Sequence, residues 1–431
     1  MAMVTQGYRF ALDPTPRQRR ALASHCGGAR VAYNWGLHLV QARLDQRRLD
    51  PTVQVPWTLP ELRREWNRAK HEVAPWWVQN SKEAYSSGLD GLARALKNWS
   101  DSRNGRRKGH PVGFPRPKKK GRARDACRFT TDPIRVEPDR HHITLPRLGK
   151  LKTHESTRKL ARRVEQGTAR ILAATISRTA DRWFVSFTVE VQRQIPTDNG
   201  KTTVVGIDVG VRYLAVLSTG ATIPNPRALE HQLCRLRRLN RQLARCKIGS
   251  KRRRQTRRQL ARVHARAANL RKDALHKLTT ALATNHKVVV VEQLNVAGML
   301  RNRRLARAIA DTAMAELRRM LLYKTLWYGA ELVVADPFYP SSKTCSACEW
   351  VKAKLPLSER SFICARCGLV IDRDLNAARN LAKLVDHVAR SGRETINACG
   401  ADTRPGQAGL TVSKREAGAE SPRVGPAPVG T

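Results

Sequence analysis

The sequence has few acidic residues and no long apolar run. Its 35 Asp and Glu stand against 81 Lys and Arg, which leaves a formal net charge of +46 over 431 residues. No stretch approaches the roughly 18 consecutive apolar residues of a membrane-spanning helix. The N-terminal segment also lacks the apolar core of a signal peptide. We therefore expect a cytoplasmic protein with no membrane partner.

The positive charge predicts a polyanionic partner. A compact chain this basic repels itself unless a polyanion neutralises it; nucleic acid is the usual one, and an acidic membrane surface is the weaker alternative. Residues 101–122 hold nine Lys or Arg and one acid, whereas residues 235–272 hold 16 Lys or Arg among 38 residues and no acid. Both segments are expected to follow phosphates, although a solvated loop is the alternative for the first.

The nine cysteines predict a metal site rather than a disulfide framework. Five stand singly, and four fall in two Cys-x-x-Cys pairs separated by 15 residues: Cys345, Cys348, Cys364 and Cys367. In a cytosolic chain that spacing is typical of metal binding. Four thiolates on two turns close a tetrahedral shell at about 2.3 Å per sulfur and leave no open position. The sequence therefore predicts a structural zinc ribbon.

Hydrophobic periodicity predicts a helical unit followed by an antiparallel sheet. Residues 6–12 alternate apolar and polar side chains and predict a strand. Residues 13–100 carry helix starts at Thr15 and at the capping-box pair Thr58 and Glu61. From about residue 125 to 195 the period changes to two. The apolar positions of that region include Trp183, Val185, Phe187, Val189 and Val191 on one strand, and Ile143 and Leu145 on another. We expect an antiparallel sheet or small barrel, completed by the N-terminal strand.

The rest of the chain predicts an α/β region. Its expected strands are residues 204–208, 213–217, 287–292 and 332–334. Its expected helices are a hairpin that turns at Gly249-Ser250, a helix over residues 305–328 and a short helix over residues 374–385. The two apolar stripes of the hairpin are Leu229, Leu233, Leu236 and Leu243, then Leu260, Val263, Ala267 and Leu270. Beyond His387 the composition turns to Gly, Pro, Ala and charge, which predicts a disordered tail.

Three acidic residues stand at the ends of apolar elements. Asp208 and Glu292 each close a strand, and Asp374 stands where the last helix begins. A carboxylate at the end of a buried strand is desolvated and needs a partner. Three converging carboxylates repel one another unless divalent cations lie between them. Two Mg²⁺ ions bridged by carboxylates activate water and stabilise the leaving oxygen in phosphodiester cleavage. Taken singly, Asp372 or Asp374 could instead cap a helix, and Glu292 could pair with one of the many arginines.

Five motifs occur in an order that resembles one protein family. They are Gly206-Ile-Asp-Val-Gly-Val-Arg-Tyr-Leu-Ala215, Glu292-Gln-Leu-Asn-Val-Ala-Gly-Met299, Tyr339-Pro-Ser-Ser-Lys-Thr-Cys-Ser-Ala-Cys348, Cys364-Ala-Arg-Cys-Gly368 and Asp372-Arg-Asp-Leu-Asn-Ala-Ala-Arg-Asn-Leu381. Together they resemble TnpB, a transposon-encoded RNA-guided endonuclease similar to the ancestor of type V CRISPR effectors. Asn397-Ala-Cys-Gly400, followed by Arg404-Pro405, resembles that family's tail. The resemblance covers most of the chain.

The resemblance implies an α/β multidomain fold. A RuvC-like nuclease domain of the RNase H type carries an inserted zinc ribbon, beside a helical recognition lobe and an antiparallel β wedge barrel. The expected domains are residues 1–12 (first wedge strand), 13–122 (helical recognition lobe and basic linker), 123–198 (wedge barrel), 199–338 (RuvC-like nuclease with a basic helical hairpin at 226–282), 339–371 (zinc ribbon), 372–387 (last RuvC helix) and 388–431 (disordered tail).

The same resemblance implies the site residues and partners. Asp208, Glu292 and Asp374 would be the catalytic residues and the Mg²⁺ ligands, with Zn²⁺ on the four cysteines. The partners would be a guide RNA from the transposon end and double-stranded target DNA, in a bacterial, nucleoid-associated protein. Asp374 is two residues before Asn-Ala-Ala, as the family's metal ligand is, so Asp372 is expected to cap the helix. Glu349 stands where the family usually has glycine, which leaves the turn of the first cysteine pair open.

Three other functions compete with an RNA-guided DNA endonuclease that cuts beside a short motif. A guided DNA-binding repressor would not need the three acids, all of which are present. A transposase would need the paired His and Tyr nucleophile motif, which the sequence does not supply. A basic zinc-ribbon protein that only coats RNA would leave the acids at the strand ends unexplained.

Overall fold

The computed structural model describes residues 2–390, apart from residues 108, 132 and 357, and the side chains of this part up to residue 385. This part of the chain divides into two compact units, residues 2–193 and residues 194–390. None of its helices is long and apolar enough to cross a membrane. Of the expected disordered tail, residues 388–390 belong to the last helix, and residues 391–431 lie outside the described residues.

The first unit combines two antiparallel sheets with a group of helices. Its elements are β1 (Ala2–Leu12), α1 (Pro16–Leu49), α2 (Leu59–Val73), α3 (Lys82–Arg103), β2 (Ala126–Phe129), β3 (Arg135–Val136), β4 (His142–Leu145), β5 (Gly149–Lys152), α4 (Arg158–Glu165), β6 (Ala169–Thr179) and β7 (Arg182–Arg193). A 3₁₀ turn covers Trp77–Gln79. One sheet has the strand order β1-β7-β6-β2, and β3, β4 and β5 form the other. The N-terminal strand therefore completes the larger sheet, as predicted.

Local sequence explains the boundaries in this unit. Thr15 caps α1, because its hydroxyl accepts a hydrogen bond from the Gln18 backbone and the Gln18 side chain accepts one from Thr15 N–H. Glu61 likewise accepts from the backbone N–H of Thr58 at the start of α2, 2.9 Å away. Both predicted helix starts are confirmed. The predicted apolar face of β7 is buried in the sheet core, together with the two predicted positions on β4.

The second unit is built around a mixed sheet. Its elements are β8 (Val204–Asp208), β9 (Tyr213–Leu217), β10 (Thr222–Pro224), α5 (Leu233–Arg245), α6 (Lys251–Asn285), β11 (Val288–Glu292), α7 (Val296–Met299), α8 (Ala306–Thr312), α9 (Met314–Tyr328), β12 (Glu331–Ala335), β13 (Ser361–Ile363), β14 (Val370–Asp372) and α10 (Arg373–Arg390). A 3₁₀ turn covers Glu230–Gln232. The sheet order is β10-β9-β8-β11-β12, in which β8, β11 and β12 run parallel.

Helices cover both faces of the parallel strands. Val289 and Val291 pack with α6 and α9 on one face, and Val288 and Val290 pack with α10 on the other. A strand buried on both faces is a continuous apolar run rather than an alternating one, which is why the four valines of β11 are consecutive. Because β8, β11 and β12 are parallel, their carboxyl ends meet at one edge of the sheet.

Two predictions for this unit are wrong in detail. The helix predicted over residues 305–328 is broken at Ala313, which has φ +53° between α8 and α9. The break accompanies Asp311, which turns inward, is 4% exposed and accepts from the backbone N–H of Leu229 at 2.9 Å. Leu270 is predicted in the apolar stripe of α6 but is 47% exposed, whereas Ala267 of the same stripe is 1% exposed, so the buried part of that stripe ends at Ala267.

Candidate active site and metal centre

The carboxylates of Asp208 and Glu292 end two neighbouring parallel strands. β8 and β11 pair in register up to Ile207 and Val291, so the next residue of each strand reaches the same edge of the sheet. Both side chains are half-buried. Chain topology, rather than proximity in sequence, brings these two acids together.

Asp374 reaches the same edge because α10 packs closely against β8. A Cβ on Gly206 would lie 2.0 Å from the carbonyl oxygen of Ala378 and 2.5 Å from the backbone nitrogen of Ala382. Only glycine therefore permits this approach of helix to strand, two residues before Asp208. The half-buried Asp374 occupies the first turn of α10.

Asp372 has a different role from Asp374. Its Oδ1 accepts hydrogen bonds from the backbone N–H of Asp374 at 2.9 Å and of Leu375 at 3.1 Å. These are the contacts of a helix N-cap, so the prediction that Asp372 caps α10 is confirmed. The carboxylate of Asp374 lies near enough to Asp208 for its charge to raise the pKa of that residue.

Burial and neighbouring carboxylates raise the pKa of Asp208 and of Asp374. Burial, followed by the charges of Glu292 and Asp374, raises the pKa of Asp208 to about 8. Burial and the charge of Asp372 raise the pKa of Asp374, while Arg360, Arg373 and Arg212 act in the opposite direction. The site therefore concentrates negative charge that its own arginines do not neutralise, and a divalent cation would relieve that charge. Carboxylate oxygens are the ligands that Mg²⁺ prefers, so the donor set fits this ion.

Ser341 connects Glu292 to the segment that leads to the first cysteine pair. The buried Ser341 donates a hydrogen bond from its hydroxyl to Glu292 Oε1. Its own carbonyl oxygen accepts from Asn380 Nδ2 of α10 at 2.7 Å. The side chain of Glu292 is thus held by a loop that α10 holds in turn.

Two buried asparagines on α10 fasten that loop. Asn376 accepts from the backbone N–H of Ser346 at 2.9 Å and donates to the carbonyl oxygen of Thr344 at 2.6 Å. Asn380 donates to the same Thr344 oxygen at 2.6 Å. The two residues are 0% and 2% exposed, so each amide satisfies backbone groups that water does not reach. We call the segment 341–346 the clamped loop.

The four cysteines of the predicted zinc site come together. Their sulfur atoms all lie within 4.8 Å of one another, and the Cys345–Cys367 and Cys348–Cys364 pairs are each 3.6 Å apart. A tetrahedron with Zn–S bonds of about 2.3 Å requires sulfurs about 3.8 Å apart, which these distances match. Burial acts to raise the pKa of Cys364, but backbone N–H donors outweigh it and lower that pKa to about 6, which favours the thiolate that zinc binds. Among the described residues this is the only group of at least three Cys, His, Asp or Glu side chains gathered so tightly.

The two cysteine pairs form equivalent turns. Glu349 N–H donates to the carbonyl oxygen of Cys345 at 3.0 Å, and Gly368 N–H donates to that of Cys364 at 3.1 Å. Glu349 has φ +63° and Gly368 has φ +72°. The first turn therefore keeps the left-handed conformation of a glycine turn, although a glutamate occupies it.

The predicted basic hairpin exposes its charge. Leu236, Leu239, Leu260 and Val263 pack between α5 and α6, and the arginines and lysines lie on the outside. Arg253 is an exception, since it donates to the carbonyl oxygens of Leu243 at 2.8 Å and Cys246 at 3.1 Å and so closes the turn. Arg271 is another, since it donates to the carbonyl oxygen of Ala310 at 2.7 Å and forms an ion pair with Asp311.

Sequence reasoning missed Ser341, Asn376 and Asn380, although all three lie within motifs that it singled out. A signal for the asparagines was present: they are four residues apart on the helix face that carries the apolar Ala377 and Leu381. Polar residues on an apolar helix face indicate a buried hydrogen-bond network. No sequence signal identifies Ser341 as the partner of Glu292.

Three family models match the chain. A model of the IS605 OrfB family, described as "Probable transposase", matches residues 186–303, and one described as "Cas12f1-like, TNB domain" matches residues 315–381. A third, described as "Helix-turn-helix domain", matches residues 1–48. In the structure the described residues of this range form β1 and nearly all of the single long helix α1.

Two bacterial proteins are related to this chain over nearly its full length. A Mycobacterium tuberculosis protein named "Putative RNA-guided DNA endonuclease" is 41% identical over 448 residues, which cover 97% of this chain and 96% of the relative. A Streptomyces pristinaespiralis protein of the same name is 36% identical over 407 residues, covering 94% and 93% of the two chains.

The fold is also similar to a solved structure. The Cas12f1 chain of a complex with guide RNA and target DNA superposes with a TM-score of 0.50 at 13% identity, covering 88% of this chain and 99% of that chain. This likeness agrees with the predicted α/β multidomain fold. On the strength of its full-length relatives and the matching models, the chain belongs to the TnpB family of insertion-sequence proteins, the IS605 OrfB family.

Proposed function

We propose that this chain is an RNA-guided DNA endonuclease of a bacterial insertion sequence, which cleaves double-stranded DNA beside a short motif. Its full-length relatives carry that name, and the net charge of +46 suits a protein that holds both a guide RNA and its DNA target. Base pairing with the guide would read the sequence, while the protein contacts mainly phosphate and sugar.

One observation carries the proposal of cleavage. Asp208, Glu292 and Asp374 converge at one edge of the mixed sheet, with the pKa of Asp208 raised to about 8 by burial and by the other two. A protein that only binds nucleic acid gains nothing from this half-buried negative charge, which repels phosphate. A divalent cation converts the same cluster into a phosphate-binding and water-activating centre.

We assign the catalytic roles to residues as follows. Asp208, Glu292 and Asp374 would hold Mg²⁺, which supplies water activation and stabilisation of the leaving oxygen when bound. Ser341 orients Glu292 through its hydrogen bond, and Asp372 fixes the helix start from which Asp374 extends. The exposed Arg212 and Arg360 carry positive charge close to Asp374 and would hold the scissile strand by its phosphates.

The four cysteines would bind a structural zinc ion. All four ligand positions are filled by thiolates, so the ion would have no open position for chemistry. Its part would be to stabilise the ribbon, residues 339–371, whose small core contains Leu355 and Phe362 beside the cysteines.

The domain roles follow the same proposal. Residues 13–122 would be the recognition lobe with its basic linker, and residues 1–12 with 123–198 the wedge that grips guide RNA. The five-stranded sheet and its helices, residues 199–338 with 372–387, would be the RuvC-like nuclease of the RNase H type. Its basic hairpin, 226–282, would follow nucleic-acid phosphates.

Cleavage of a plasmid library tests the proposed function. The protein is co-expressed with the RNA encoded downstream in its transposon, purified, and given a fixed target beside randomised flanking bases, with and without Mg²⁺. We expect metal-dependent cutting beside one enriched flank, lost in Asp208→Ala and in Glu292→Ala while the RNA stays bound. Discrete RNA and target binding without cutting would point to a guided repressor, and equal cutting by either variant would reject the site.

A further inference from the structure

Phe338 is the most exposed large apolar residue in the described part of the chain. Its side chain is 92% exposed, whereas phenylalanine is usually among the most buried residues. An aromatic ring in solvent contributes nothing to the stability of the unit that carries it. The ring is therefore accessible to a binding partner.

The ring is presented by a well-defined turn. Asp336 Oδ1 accepts a hydrogen bond from Phe338 N–H at 2.8 Å, and the Asp336 carbonyl oxygen accepts from Tyr339 N–H at 3.1 Å. Pro337 restricts the backbone just before Phe338. The next residue, Tyr339, is tied to α10 through a 3.2 Å hydrogen bond from its hydroxyl to Asn380 O. The exposed ring thus sits on backbone that is already ordered.

The turn lies at the edge of the sheet where the three acids converge. β12 ends at Ala335, which pairs in register with Glu292 of the parallel strand β11. Phe338 follows three residues later, and three residues beyond it Ser341 contacts Glu292. Three Cα–Cα steps span at most about 11 Å, so the Cα of Phe338 lies within that distance of the Cα of Ser341, the residue that contacts Glu292.

Cationic side chains share this edge. Arg212 and Arg360 are exposed and close enough to Asp374 to influence its pKa. Aromatic rings beside arginines that track a phosphate backbone are the usual composition of sites for single-stranded nucleic acid, because every base has a face on which an aromatic ring can stack.

We propose that Phe338 stacks on a base of the single DNA strand whose backbone lies at the three carboxylates. This inference rests on the proposed function, and it adds a residue that contacts the substrate. Stacking would fix the register of the strand at the site without reading its sequence. The contact would be made by the strand as it enters unpaired, since a base inside a duplex has no free face.

The test measures stacking separately from cleavage. The intact protein with its co-expressed RNA, in an Asp208→Ala background, is bound to target DNA that carries 2-aminopurine at successive positions of the unpaired strand. We expect one position whose emission changes on binding, no such change in Phe338→Ala or Phe338→Leu, and recovery in Phe338→Tyr. Leu326→Ala, which removes another exposed apolar side chain from α9, is the control and should behave as its parent.

The same substitutions in the cleaving protein give the functional readout. Removing a stacked ring should raise KM for the DNA by about 5- to 100-fold, with the tyrosine variant close to wild type. Unchanged emission and KM in Phe338→Ala, in a protein that cleaves, would overturn this inference and leave the endonuclease standing. A signal that depends on Phe338 in a protein that never cleaves would support stacking and reject the nuclease.

Discussion

Ser341 donates a hydrogen bond to Glu292 and thereby joins the clamped loop to the end of β11. The helix that holds this loop through Asn380 also carries Asp374. Two of the three acids are therefore positioned by one helix, one directly and one through a loop. This arrangement makes the cysteine-rich segment and the acidic edge of the sheet a single structural assembly.

Removing the Ser341 hydroxyl should slow cleavage without weakening DNA binding. We expect Ser341→Ala to lower the cleavage rate by about 10- to 100-fold, the usual effect of losing a partner that orients a metal ligand. Single-turnover cleavage and DNA binding, measured on the same preparation, check this. The neighbouring Ser342→Ala is the matched control and should match wild type; equal rates in both variants would contradict the role of Ser341.

Substitution of Asp372 should lower the stability of the protein, whereas substitution of Asp374 should remove its activity. Asp372→Ala removes the N-cap of α10 and is expected to cost about 1 kcal/mol of unfolding free energy while cleavage persists. Asp374→Ala should abolish cleavage without lowering the unfolding free energy, because the raised pKa of Asp374 means that its charge does not stabilise the fold. Thermal unfolding and plasmid cleavage of both variants provide the comparison. If Asp372→Ala is the inactive one, the assignment of the two aspartates is reversed.

The hydrogen bonds from Asn376 and Asn380 to the clamped loop should help the four cysteines to retain zinc. Asn376→Ala leaves the buried N–H of Ser346 without this acceptor, which should cost about 2 kcal/mol and release zinc faster to a chelator. Arg379→Ala, an exposed position on the same helix, is the control. Zinc release at wild-type speed from Asn376→Ala would mean that α10 and the cysteine pairs are not coupled.

The two turns of the cysteine pairs should respond in opposite directions to substitution. Glu349 has φ +63°, which costs a side-chain-bearing residue about 1 kcal/mol, so Glu349→Gly should stabilise the ribbon. Gly368→Ala introduces the same strain at φ +72° and should destabilise it by a similar amount. Unfolding temperature and zinc release report both effects, and a loss of stability in both variants would count against the strain argument.

The three acids should make the unfolding free energy of the metal-free protein depend on pH. The folded protein holds the Asp208 proton up to about pH 8, whereas an unfolded aspartate releases its proton near pH 4. Between these values the unfolded state binds fewer protons, so stability falls as pH rises through this window. Asp208→Asn removes the penalty and should stabilise the metal-free protein at pH 8.5, with little effect at pH 4. A gain of equal size at both pH values would exclude titration of Asp208 as its cause.

Much of the fold could be predicted because the relevant signals are local. β8 and β9 have the predicted bounds. Each is a short apolar run, the two runs are separated by Gly210, and such runs predict buried strands whatever packs against them. Thr15 and Thr58 mark helix starts through contacts with residues three positions away. The break at Ala313 was missed, because it accompanies the inward turn of Asp311 towards Leu229, a contact 82 residues distant.

The sequence by itself determined the chemistry available to this protein: four cysteines with ribbon spacing, three acids at element ends and an excess of basic charge. Only the tertiary structure decided which of these groups meet. Asp374 approaches Asp208 because Gly206 leaves no Cβ between β8 and α10, and Glu292 receives Ser341 because Asn380 fixes the intervening loop. Residue types and spacing are local properties of the chain, whereas the convergence of carboxylates depends on backbone approach and hydrogen bonds between segments far apart in sequence.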